Sequence, residues 1–229
     1  MENYQHVISL GHFCAVASEL ERLGYRDASL PFDWLITPFE SVMHMIETNF
    51  NDFLVLENLK RDEKRKYIIK DTKYNIAFYH DYKPNQSIET QHEIVKAKYD
   101  RRIKRFYDYI TEKTLFIRYI ESKKEYEFIC ENYDHIMSVL RKYNKDNDLM
   151  LVSKDIKAVE LPMHTIYLDN VPYKTPQKFA KTNKELYKVL TSIPYPDEKR
   201  MLNINRYRKS FPKRFFNSLR KLYIKLIYS

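Results

Sequence analysis

At 229 residues with 44% hydrophobic content, the chain is long enough to bury one core of ordinary size. Its two cysteines, Cys14 and Cys130, exclude a disulfide framework and a zinc site built on cysteine spacing. The net charge of +9 is unevenly spread: ten of the 40 Lys and Arg residues follow Glu198, where no acidic residue occurs, so the preceding chain is near neutral.

In chain order, Val7-Ile8-Ser9-Leu10 reads as a buried strand that runs into Gly11, one of two glycines in the chain. A chain so poor in glycine is expected to use it where a side chain would obstruct the backbone. A helix follows over 14–23, with Gly24 at its C-terminal cap. Cys14 then sits in the first helical turn, where unpaired N–H groups and the helix dipole stabilise a thiolate. The alternative is that Cys14 is a small apolar residue packing that helix on a sheet.

Ser29-Leu30-Pro31-Phe32-Asp33-Trp34-Leu35 is a loop carrying the sole tryptophan. Thr37-Pro38-Phe39-Glu40 predicts a helix start, with Thr37 as cap and Glu40 closing a capping box. Residues 66–70 and 75–80 predict a hairpin around 71–73 that ends in His80-Asp81. Residues 89–112 predict a long basic helix containing Arg101 and Arg102, which either face solvent or reach an anionic substrate. Strands are expected at 115–119, 149–152 and 165–168, and helices at 127–143 and 183–192. Strands alternating with helices predict an α/β fold in a single domain over 1–198, with a mixed, mostly parallel sheet and helices on both faces.

Residues 199–229 read as a basic appendage, loop to Phe211 and then an amphipathic helix. At about 100° per residue, Phe215, Phe216, Leu219 and Leu222 share one arc, with Lys221 and Lys225 opposite. That pattern suits an anionic membrane surface. The same apolar face could instead cap the protein's own core. Nucleic acid is the least favoured partner, since no module for it is legible. The N-terminus shows no basic region leading into an apolar run, and no stretch approaches ~18 apolar residues. The expected location is therefore cytoplasmic, peripheral on the inner face of the membrane.

Thiol catalysis needs a nearby base and a group that orients it. His80, at a strand end, is the strongest base candidate. His12 could instead line the turn, His164 and Asp169 flank the last strand, and Gly11, His12, Trp34, Arg101 and Arg102 are the candidate substrate-binding residues. Asp33 and Asp81 are candidate orienters, although Asp33 equally suits a turn or cap. No phosphate-binding glycine loop, metal-ligand spacing or cofactor motif is legible.

The set Val-Ile-Ser-Leu-Gly11-His-Phe-Cys14, Leu-Pro-Phe32-Asp33-Trp34-Leu, Phe-Tyr-His80-Asp81-Tyr, Arg101-Arg102-Ile-Lys-Arg105-Phe and Leu-Phe-Ile-Arg118 resembles a bacterial family of unknown function. That family carries the label of papain-like cysteine peptidases. The resemblance covers about residues 5–170. It implies a cysteine nucleophile at Cys14, a histidine base at His80 and an acidic orienter at Asp33 or Asp81. It also implies a peptide, acyl or glycan-linked substrate, or else a non-catalytic accessory role in a surface-polysaccharide or glycosyltransferase system. A strand leading straight into the cysteine helix is similar, too, to hydrolases of the three-layer α/β kind.

Overall fold

The computed structural model describes residues 2–120, 122–153, the backbone of 164–167, and 184–210. Its strands form two sheets. The first is parallel, in the order β1-β6-β7-β8, from His6–Ser9, Thr114–Ile120, Asp148–Ser153 and His164–Tyr167. The second is antiparallel, in the order β2-β5-β4-β3, from Leu35–Ile36, Ile76–Phe78, Ile69–Asp71 and Leu59–Arg61. The mixed strand content read from the sequence is thus divided between two sheets. The predicted hairpin forms as β4 and β5, and its sheet is completed by β2, only two residues long.

The parallel sheet is covered on both faces, because alternate residues of its strands point to opposite sides. Ile8, Phe116, Ile120, Leu149 and Leu151 face a core that also receives α2 (Phe39–Glu47), α3 (Glu89–Ile110), α4 (Lys123–Glu131) and α5 (Tyr133–Arg141). The second sheet adds Leu35, Leu59, Ile69, Ile76 and Phe78 to that core. Val7, Leu115, Ile117, Tyr119, Met150 and Val152 face the other way, onto α1 (Cys14–Arg22) and α6 (Lys184–Thr191). Full cover explains why β6 is an unbroken apolar run apart from its end residue Thr114 and one arginine.

Three local expectations change. Thr37 does not cap α2; Pro38 takes that position without a side-chain bond, and the Thr37 hydroxyl accepts from Arg118 instead, at 3.3 Å. The helix expected over 127–143 is two helices, broken at Asn132, whose side chain donates to the Phe128 carbonyl at 2.8 Å. The first part of the basic appendage is helix rather than loop, over 197–210.

That last helix seats against Gly24. Asn203 donates to the Gly24 carbonyl at 3.1 Å, and Arg200 to the Leu23 carbonyl at 3.0 Å. A β-carbon on Gly24 would lie 2.5 Å from the Arg200 carbonyl oxygen, and Gly24 has φ +83°. Both demands leave only glycine there. Phe215, Phe216, Leu219, Lys221, Leu222 and Lys225 lie outside the described residues. No described helix is long and apolar enough to cross a membrane.

Candidate active site

β1 leads into the cysteine helix through a doubly left-handed turn. Leu10 still bonds to β6, its N–H donating to the Ile117 carbonyl at 2.9 Å. Gly11 (φ 83°) and His12 (φ 67°) then reverse the chain, and Phe13 is extended. Cys14 is the first residue of α1, partly buried, and neither it nor Cys130 is in a disulfide. Phe13 supplies no side-chain cap and the first turn of α1 has no acidic residue, and the positive end of a helix favours an anion.

The turn is held by Arg118, a side chain wholly removed from solvent. Its Nη1 donates to the Leu10 carbonyl at 2.9 Å and to Thr37 Oγ1 at 3.3 Å. Nη2 donates to the Thr37 carbonyl at 2.7 Å, and Nε to Glu125 Oε1 at 2.8 Å. A buried guanidinium is tolerated only with such a full set of acceptors. A β-carbon on Gly11 would meet Thr37 Oγ1 at 2.7 Å and the Phe32 carbonyl oxygen at 3.4 Å. The turn therefore packs directly on the Phe32–Thr37 segment.

His12 is buried beside this arginine. Desolvation, and then the Arg118 charge, push its pKa down to about 3. Its ring lies 5.6 Å from that of Tyr119. A histidine so reluctant to charge is a poor proton acceptor for a thiol at neutral pH.

The second group assembles where β2 pairs with β5. The register sets Leu35 against Phe78 and Ile36 against Ala77. Trp34 immediately precedes β2, and Tyr79 and His80 immediately follow β5. The Trp34 and His80 rings meet edge to face at 6.3 Å. His80 is exposed, at the bend after β5. Arg26 lies 5.2 Å over the Trp34 ring and donates through Nε to Asp33 Oδ2 at 2.8 Å. Asp33 is fully buried and its Oδ1 has no hydrogen-bond partner. Burial raises its pKa, against the opposing pull of Arg26.

Asp81 is spoken for by a different pair. One oxygen takes the Lys98 ammonium, and the other accepts from the Tyr99 hydroxyl at 3.0 Å. Arg102 stacks 4.9 Å over the Tyr99 ring, while Arg101 points to solvent. Gly11 and His12 thus join Arg118, while Asp33 and Trp34 share Arg26, and Trp34 meets His80. Asp81 and Arg102 each contact Tyr99 of α3. The Gly11 turn before Cys14 packs on Phe32 and Thr37, and His80 meets Trp34 of the same Pro31–Thr37 segment.

Arg118, Arg26 and Lys98 were not singled out as functional from sequence. Only Arg118 carried a usable signal, as a lone charge inside an apolar strand run. Among the described residues, no group of three or more His, Cys, Asp or Glu side chains is arranged to hold a metal ion.

A family model described as "Putative papain-like cysteine peptidase" matches residues 5–153, from β1 to the end of β7. An uncharacterized protein of Acanthamoeba polyphaga mimivirus is 28% identical over 176 residues, covering 66% of this chain and 79% of its own. That relative is viral rather than bacterial. No solved structure matches.

Proposed function

This chain belongs to the papain-like cysteine peptidase family so described, and from that premise we propose that it is a cysteine hydrolase with Cys14 as nucleophile and His80 as base. His80 takes the thiol proton, and the Cys14 sulfur attacks an acyl carbon. N–H groups at the start of α1 receive the oxyanion. Collapse of the adduct passes the proton from His80 to the leaving group. Water, deprotonated by His80, then releases the acyl group and restores the thiol. Of the two acidic candidates, Asp33 is the better orienter. Its Oδ1 carries no bond, whereas both Asp81 oxygens are engaged by Lys98 and Tyr99.

The observation that carries this reading is the start of α1: a thiol in the first turn, no side-chain cap, no carboxylate nearby in sequence, and a preceding turn fixed by Arg118. Such a position lowers a thiol pKa. His12 does not compete as base, given its suppressed pKa.

The test is turnover of small thioester, ester and peptide substrates, with mass spectrometry of the trapped protein. An acyl group on Cys14, absent from Cys14→Ser, supports the reading. Acylation confined to Cys130, or none with any of the three substrate types, sinks it. The exposure of His80 favours a second reading, a non-catalytic docking partner in a glycan-assembling system. That reading predicts no acylation at all.

A further inference from the structure

The helix over 197–210 divides cleanly into two faces. At about 100° per residue, Arg200, Asn203, Ile204 and Tyr207 fall on one side. Asn203 is buried, and the other three are only partly exposed. Met201, Leu202, Asn205, Arg206, Arg208 and Lys209 fall on the opposite side, and all are exposed. Met201 is 53% exposed and Leu202 52%, large values for apolar side chains on a helix anchored to the body.

The anchoring matters, because it fixes which face looks outward. Asn203 and Arg200 bond to the Gly24 and Leu23 carbonyls, and Lys199 donates to the Gln5 carbonyl at 2.7 Å. Ile204 and the Arg200 backbone close on Gly24 itself. The outer face therefore cannot roll inward to hide its apolar residues. Among the described residues, none of Arg206, Arg208 and Lys209 takes part in an ion pair, and their segment contains no acidic residue after Glu198. The 19 residues that follow Ser210 add five cations and no acid.

We infer that this outer face is a docking surface for an anionic lipid bilayer, with Met201 and Leu202 entering the headgroup–acyl boundary and Arg206, Arg208 and Lys209 meeting phosphate. Cations and bare apolar side chains on one arc suit such an interface. A nucleic-acid surface would have the cations but no use for Met201 and Leu202, since phosphate contacts dominate there. The inference stands apart from the hydrolase reading, and Cys14→Ser should leave it unchanged.

The test is co-sedimentation of the full chain with vesicles of phosphatidylcholine alone and with 30 mol% (roughly one lipid in three) phosphatidylglycerol. Binding is expected only to the anionic vesicles. Arg206→Gln/Arg208→Gln/Lys209→Gln is expected to weaken it about 100-fold, at roughly fivefold per cation. Met201→Gln/Leu202→Gln is expected to weaken it about tenfold or more, including at high salt. These positions are exposed, so circular dichroism should show unchanged folding. Three results would overturn the inference: equal binding to both vesicle types or to neither; wild-type affinity in both variants, which would assign binding to 211–229; or tighter binding to duplex DNA than to anionic vesicles.

Discussion

The two sheets meet the Pro31–Thr37 segment in opposite ways. At the parallel sheet, the Gly11 turn is locked against Phe32 and Thr37 by backbone contacts and by an arginine whose donors reach four acceptor atoms. At the antiparallel sheet, Trp34 is half-buried, His80 is exposed, and their rings meet edge to face. The contrast teaches where each part of a thiol site can be specified. The side of the proposed nucleophile is set by main-chain geometry before any ligand arrives. The side of the proposed base, His80, rests on the surface, where a bound substrate would adjust it.

Breaking the locked side should have the largest effect. Arg118→Met leaves the Leu10 and Thr37 carbonyls and the Glu125 carboxylate without their donor, and is expected to cost about 3–5 kcal/mol in urea unfolding. A loss under about 1 kcal/mol would mean the turn does not depend on it. Gly11→Ala comes next. The left-handed backbone alone costs about 1–2 kcal/mol, and the approach of Thr37 Oγ1 adds to it. Thr37→Ser, which keeps the hydroxyl, should rescue none of this, whereas Thr37→Ala should recover part.

Acid offers a milder probe of the same side. His12 is held at about 3 in the folded protein against 6.5 when unfolded. Between those values the unfolded chain binds a proton that the folded one refuses, so stability falls as pH drops below about 6.5. His6, stacked 3.9 Å on Tyr109 and held at about 4 by burial and Lys199, acts with the same sign. Each contributes up to about 1.4 kcal/mol per pH unit. His12→Gln should remove about half of the stability slope between pH 6 and 5. An unchanged slope would show that His12 charges freely in the fold.

The smallest effect belongs to the surface side. Trp34→Leu should cost only about 1 kcal/mol, yet shift the His80 ring resonances in NMR spectra. Resonances that do not move would show that Trp34 does not position His80.

Much of this was legible in the sequence, where the signal is local. The strand–Gly11–Cys14 helix, the hairpin and the long helix over 89–112 all follow from short-range patterns. The second sheet was not separable from the first, because β2 is two residues long and shows no strand pattern of its own. Thr37 had the residues of a helix cap, but a buried arginine 81 positions away claims its hydroxyl. The cations that engage Asp33 and Asp81 were equally invisible. A single sequence does not say that Arg26 folds back on Asp33, or that Lys98 crosses to Asp81. The outward face of helix 197–210 also needed the fold, since contacts with Gly24, Leu23 and Gln5 say which side is bound.

The most direct test of the account is the pH dependence of Cys14 alkylation, measured in a Cys130→Ser background with and without His80→Ala. A nucleophile at the start of α1 that is paired with His80 should titrate well below the ordinary thiol value of ~8.5, and that shift should shrink when His80 is removed. Alkylation that is slow at every pH and indifferent to His80 would contradict the account and leave Cys14 as a packing residue.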